Sequence, residues 1–323
     1  GNLGMGYSSL KSSAVGQNNI AIGKRALELN ISGNENTAIG TNALGVNTAG
    51  FANVAMGYNS LASNTGGFSN TALGSSTLNL NTYGTYNTAV GLGAMAENVS
   101  GFSNVAVGVN ALYTSTGNYN VGIGSNALGA NRPNTGTHNI AIGIEAGREM
   151  TSGTYNEFIG HDAGRSNTTG TSNDALGHQA LYSNTNGNNN VAIGYQAGTS
   201  LNGGLQNTFV GASAGSGQTA GNSNICIGFS TACPSLTGNN QLNIGNFIYG
   251  NLSTKQVVWG QSAVVAGATL ALVSTTQGFL PPKMTTAERD AISSPPTGLM
   301  IFNTTTNKLN VRGAAAWEAV TSV

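Results

Sequence analysis

The chain has 323 residues, and its 11 Lys+Arg are balanced by 11 Asp+Glu. Charged residues make up only 7% of it, apolar residues 39%, and 48 residues are Gly. So few scattered cations exclude a phosphate-neutralising nucleic-acid surface, the apolar content excludes an extended disordered polymer, and Gly without a three-residue period excludes collagen.

The chain opens at Gly1 with no secretory leader, which reads as a fragment or processed product. From there a single pattern, Asn-x-Ala-aliphatic-Gly, recurs. Its closing Gly falls at Gly6, Gly23, Gly40, Gly57, Gly74, Gly91, Gly108, Gly124, Gly143, Gly160, Gly177, Gly194, Gly211, Gly228 and Gly245. Of the 14 intervals, twelve are 17 residues, one is 16 and one is 19. The residue before the Gly is aliphatic or Met in all 15 copies, and Asn opens all but the last, which has Gln241. A second Gly lies seven residues earlier, from Gly16 to Gly238. A small residue such as Ala26 or Ala43 follows the motif by three positions, and Leu27, Leu44, Met95 or Gly198 comes next.

Five residues rich in Gly and Asn are too few for a helix. As a strand, Asn36–Gly40 puts Thr37 and Ile39 on one face and Asn36, Ala38 and Gly40 on the other. The bulky face is expected to fill the coil and the small face to admit a neighbouring backbone. The earlier Gly reads as a turn position with φ > 0. Each repeat then forms one coil of a β-solenoid with an Asn ladder along the stack. At about 4.8 Å per coil the shaft spans roughly 65–70 Å. The two-residue insertion, in Ala130–Thr135 around Pro133, predicts a surface loop between Leu128 and Gly136. Two large apolar groups per coil return less than the backbone entropy of 17 residues costs. The sequence therefore predicts a parallel homotrimer wound around its small-residue face.

These columns resemble the head repeats of YadA-like trimeric adhesins. Their core is similar to Asn19–Gly23, Asn36–Gly40, Asn139–Gly143 and Asn190–Gly194, although the adhesin repeat is shorter than 17 residues. Longer repeats of this kind occur in phage tail fibres and bacterial surface proteins. The resemblance implies a trimeric β-roll with an attachment role, and it covers about three quarters of the chain.

The composition changes near Gly250: 40 of 44 Asn and 43 of 48 Gly precede it, whereas four of six Pro follow. The expected domains are the shaft (1–250), a neck (251–276) and a small β module (277–323). Ala263–Val273 is too short an apolar run to span a bilayer, so no membrane insertion is expected. In the module, Gln277–Met284 should be extended, Thr285–Glu288 forms a capping box opening a short helix to about Ile292, and Pro295–Pro296 end it. Gly298–Asn303, Lys308–Arg312 and Ala316–Val320 read as strands, with a turn at Thr304–Asn307. Gly278–Met284, Thr285–Ile292, Gly298–Asn303 and Trp317 resemble a phage tail-fibre segment that often precedes a cleavable intramolecular chaperone.

No catalytic constellation is legible, and no cofactor or metal is expected. His161 and His178 share a column but lack a third ligand column, and Asp162 and Asp174 lack calcium β-roll spacing. Cys226 reads as a small buried residue in the Ala column, with Cys233 unpaired in the next loop. Gly66-Gly67 and Gly203-Gly204 lack the helix and Lys of a phosphate loop. A row of aromatics follows the turn Gly: Phe51, Phe68, Tyr86, Phe102, Tyr119 and Tyr155. Exposed, it offers a surface for sugars; turned inward, the favoured reading, it closes the roll or a trimer interface.

The sequence thus predicts an all-β, non-enzymatic trimeric fibre of a phage tail. Its expected partners are its own copies, a host-surface receptor such as a glycan, and other tail proteins; the expected setting is the virion or an extracellular surface. A bacterial surface adhesin is the alternative. An ice-binding solenoid is a second, although Ile, Val and Leu interrupt the Thr column of Thr37, Thr71, Thr88 and Thr208. A polysaccharide-cleaving enzyme would need a carboxylate pair, and none is placed.

Overall fold

The computed structural model describes residues 1–129, 132–260, 268–272 and 279–320. They form two compact units, residues 1–271 and 272–323.

The first unit is a β-solenoid. Each motif copy contributes one short strand, from Leu3–Met5 to Gln241–Ile244. Each strand pairs in parallel with the strand of the next coil, and motif positions face their equivalents, as Thr37 faces Val54 and Ile39 faces Met56. The register survives both length changes: Val121 faces Val105 on one side and Ile140 on the other.

The facing is the reverse of the sequence expectation. Ala38 and its column from Ala21 onward point into the coil and are buried, whereas Thr37 and Ile39 lie on the outer face, half-buried. The interior is therefore built from small groups, with Ala38, Ala43 and Leu44 all at 0% exposure. Only Ala, Gly, Ser or a similarly compact residue fits beside a Leu stack at β spacing. The small residues that were expected to meet a partner chain are used up inside each copy.

Two Asn ladders complete the core. In the motif column, the backbone N–H of Asn36 donates to Asn19 Oδ1 (2.9 Å), while Asn36 Nδ2 donates to Asn19 Oδ1 (3.2 Å) and to Gly50 O (2.8 Å). The second ladder was not anticipated. Asn47 Nδ2 donates to Asn30 Oδ1 and also to Gly50 O, both at 2.8 Å. Where both ladders are intact, as at Gly33, Gly50, Gly67 and Gly84, the turn-Gly carbonyl is gripped by two buried amides, which satisfies polar groups whose burial would otherwise be costly.

This grip corrects the role given to the earlier Gly. Gly50 does not have positive φ. It is Gly because a Cβ would lie 2.5 Å from Asn64 Nδ2, with the next coil's Gly67 carbonyl also in the way. The left-handed Gly is the motif Gly: Gly23 has φ 133°, and a Cβ there would meet Gly40 O at 2.6 Å.

Leu44 and its column from Leu10 to Gly215 also have positive φ (Leu44 49°, Leu27 48°), which explains why these positions hold Leu, Met or Gly and never Ile, Val or Thr.

The insertion behaves differently from a plain surface loop. Arg132 and Pro133 are exposed, but Asn134 is fully buried and bridges to Ser115, re-entering the second ladder. Residues 130–131 of that expected loop lie outside the described residues.

Past the last motif the sheet does not stop. Ile248–Asn251 and Gln256–Trp259 add to it as antiparallel strands. The neck expected at 251–276 thus begins as sheet; its residues 261–267 and 273–276 lie outside the described residues. Cys226 and Cys233, expected to be unpaired, form a disulfide within one coil, with Cα atoms 6.0 Å apart. Cys226 does occupy the buried Ala column, as expected.

The described residues of the second unit match their sequence reading closely; Gln277 and Gly278 of the expected extended run lie outside them. Strands Met300–Asn303, Lys308–Arg312 and Trp317–Ala319 form an antiparallel meander, and Lys283–Met284 pairs in parallel with the first of them. The helix Thr286–Asp290 carries a complete capping box between Thr285 and Glu288. Asn303 Oδ1 accepts from the N–H groups of Thr305 and Thr306 and closes the expected turn. Ile301 and Pro281 are the apolar residues of this unit that are buried, among the described residues.

Candidate functional site

Two surface features of the solenoid stand out. The first is the aromatic row. Its members come from two adjacent columns, Phe51, Phe68 and Phe102 six residues before the motif Gly, and Tyr86, Tyr119 and Tyr155 five before it. The second column has left-handed backbone, φ 57–59° at its three tyrosines. One rung per coil brings the rings into contact. Phe51 and Phe68 stack with centroids 4.6 Å apart, Phe68 meets Tyr86 edge-on at 5.2 Å, and Phe102 meets Tyr119 edge-on at 5.1 Å. His138 completes the row, stacked between Tyr119 (4.8 Å) and Tyr155 (4.9 Å). It was overlooked in the sequence, although it occupies the column of Tyr119 and Tyr155.

In the chain itself the row is on the surface rather than inside the roll: Tyr155 is 60% exposed and Phe51 44%. Rings stacked face to face turn their faces to each other and their edges to solvent. Tyr86 and Phe102, each edge-on to a ring that is itself stacked on another, break this pattern and are the rungs best placed to offer a ring face to a ligand.

The second feature is the outer face of the strands. Its third-position row is aliphatic or Met in every coil, from Met5 to Ile244, and much of it is exposed, including Leu176 (48%). The first-position row mixes aliphatic residues with Thr and is interrupted by acids only at Glu157 and Asp174, which are register partners. A shallow hollow lies here, lined by Glu157, Ile159, Asp174, Leu176, Val191 and Ile193.

Beside it His161 and His178 stack at 5.2 Å, and Tyr195 continues the stack at 5.3 Å. His161 Nδ1 lies 3.2 Å from Asp162 Oδ2. Asp162 also meets Arg165 Nε (3.3 Å), and Arg165 Nε donates to Glu145 Oε2 (2.7 Å) on the preceding coil. The hydrogen bond from Arg165 holds the Glu145 carboxyl below its ordinary pKa, and the same bond raises that of Arg165.

Among the described residues, no group of three or more His, Cys, Asp or Glu could hold a metal ion. No helix among them is long and apolar enough to cross a membrane.

No curated protein and no solved structure matches the chain. Residues 260–322 match the family model described as a phage tail like trimerisation region. This C-terminal match and the 17-residue-repeat β-solenoid together fit a phage tail fibre-like β-roll repeat protein.

Proposed function

We propose that three parallel copies pack through the outer strand face, forming a fibre shaft that attaches to a host surface. The observation that carries this reading is the trimerisation region at residues 260–322, which supports self-association and a tail fibre-like structural role. It gathers three C-termini at one end, so the copies run in parallel. A continuous row of Ile, Val, Leu and Met, half-buried to exposed along its length, then has an occupant, since contiguous apolar surface of this extent marks an interface. The scant apolar burial of residues 272–323 agrees with a unit completed by its copies.

In this reading the role is mechanical and adhesive, not catalytic. The aromatic row runs along the shaft and, repeated on three chains, presents a multivalent surface to a glycan or other receptor. Weak contacts then add through high effective concentration. Placement on the virion, or on an extracellular surface, follows from the same reading.

The test is a comparison of wild type with Ile142→Lys/Ile193→Lys in light scattering and in binding to host cells or a glycan array. The double variant should dissociate at a concentration about tenfold or more higher and bind more weakly, with an unchanged far-UV spectrum. A double variant that dissociates at the wild-type concentration would overturn the assignment of this face. A wild-type trimer that binds no cell or glycan would overturn the attachment role.

A further inference from the structure

The outer face carries a periodicity problem. Its aliphatic rows look nearly the same after a shift of one coil, so apolar contact alone specifies the axial register of a neighbouring copy poorly. Polar groups placed among apolar contacts can specify it.

Two successive coils supply such groups, and they do so twice each. The strand Glu157–Ile159 opens with an acid, and His161 follows its motif Gly; the strand Asp174–Leu176 opens with an acid, and His178 follows. Glu157 and Asp174 are the only acids in their column, and His161 and His178 the only His in theirs. Strands run across the shaft, so the acid lies at one edge of the outer face and the His at the other. Four residues of extended chain, about 13 Å, separate them within one copy. Around a three-fold axis, one edge of each face meets the opposite edge of the next.

We infer that Glu157 and Asp174 of each copy pair with His161 and His178 of the neighbouring copy, fixing the axial register of the trimer. The inference rests on the trimer reading above. The groups around these histidines are compatible with it. Asp162 lies at His161 Nδ1, which leaves Nε2 as the nitrogen for a neighbour's carboxylate. Arg165 is committed to Asp162 and Glu145. His178 has His161 and Tyr195 on its two ring faces, leaving its edge nitrogens for a partner. The other cation of the column, Lys24, lies on a coil whose strand opens with Ile20 and takes no part.

A charge swap in the full chain tests this. Glu157→Lys/Asp174→Lys and His161→Asp/His178→Asp should each raise the concentration at which the trimer dissociates by about tenfold or more, the first because the His loses its carboxylate partner and the second because carboxylate meets carboxylate across the interface. Combining all four substitutions should restore most of the loss. A combination no better than its parts would overturn the pairing, as would dissociation unchanged in either parent. A Glu157→Cys/His161→Cys chain supplies a second measurement. Mild oxidation should link it into covalent trimers that neither single variant forms, and a double variant that stays trimeric but unlinked would overturn the pairing. Wild-type chain that is monomeric at every concentration would instead remove the trimer reading itself.

Discussion

The ring of Phe158 occupies the space that a side chain on Gly164 would fill: a Cβ there would lie 2.5 Å from Cδ1 and Cε1 of the ring. Gly147, one coil before Gly164, faces the same ring, with a Cβ at 2.8 Å from Cδ2. Phe209 repeats the arrangement with Gly198 and Gly215. Wherever Phe replaces the small inward residue, Gly replaces Leu beside it, so core volume is conserved across columns. Phe158→Ala should therefore cost about 3–5 kcal/mol. Adding Gly164→Leu should recover a substantial part, because φ at Gly164 (57°) is close to that of the Leu column. Chemical denaturation of the two variants checks this, and absence of rescue would refute the compensation.

A break in the second Asn ladder predicts a stabilising change. Ser115 stands where the ladder needs an amide, and it leaves Asn98 Oδ1 and Asn134 Nδ2 buried without hydrogen-bond partners among the described residues. Ser115→Asn should supply both and raise stability by about 1–3 kcal/mol. The measurement is the denaturation midpoint; a lower midpoint would show that the 16-residue coil cannot hold the longer side chain.

Leu44→Ile tests the left-handed Leu column. The two side chains have nearly equal hydrophobicity, so burial predicts almost no change. Positive φ predicts a loss of about 1–3 kcal/mol, since a β-branched residue is strained there. Thermal unfolding of Leu44→Ile beside Leu44→Met, which keeps an unbranched Cβ, separates the two accounts.

These three sites show how much was readable beforehand. The 17-residue period, the parallel stack, the motif Asn ladder and the described elements of the C-terminal module were legible, because each depends on local pattern or capping chemistry. The facing of the strand was not. A two-sided strand with Ala on one face and Ile on the other is ambiguous, and the usual assumption that the larger group is buried selects the wrong face. Space decided it: an interior already holding Leu44 and two amide ladders has room for Ala38 only. The second ladder was visible as Asn30, Asn47, Asn64, Asn81 and Asn98, but Ser115, Met150 and Leu201 interrupt its column. The Cys226–Cys233 pair was missed because seven residues of separation say nothing about closure until the coil's turn is known. The aromatic row was found as a set, but its exposure depends on which columns the turn turns outward.

Acid should weaken the coils around Glu145. Its folded pKa is lowered, chiefly by the hydrogen bond from Arg165. The pair therefore contributes above the unfolded carboxyl value of about 4.3, and the contribution is lost as pH falls through the lower folded value. For a pair this exposed the effect is about 0.5–1 kcal/mol. Glu145→Gln should lower the melting temperature at pH 7, and the difference from wild type should vanish in strong acid. A difference independent of pH would assign the effect to packing.

The central claim is that the exposed aliphatic face of one coil stack is covered by two further copies. Static light scattering of the full chain in dilute neutral buffer tests it most directly. Three chains of 32.5 kDa give an expected mass of 97.5 kDa (3 × 32.5). A folded species holding at 32.5 kDa would contradict the account.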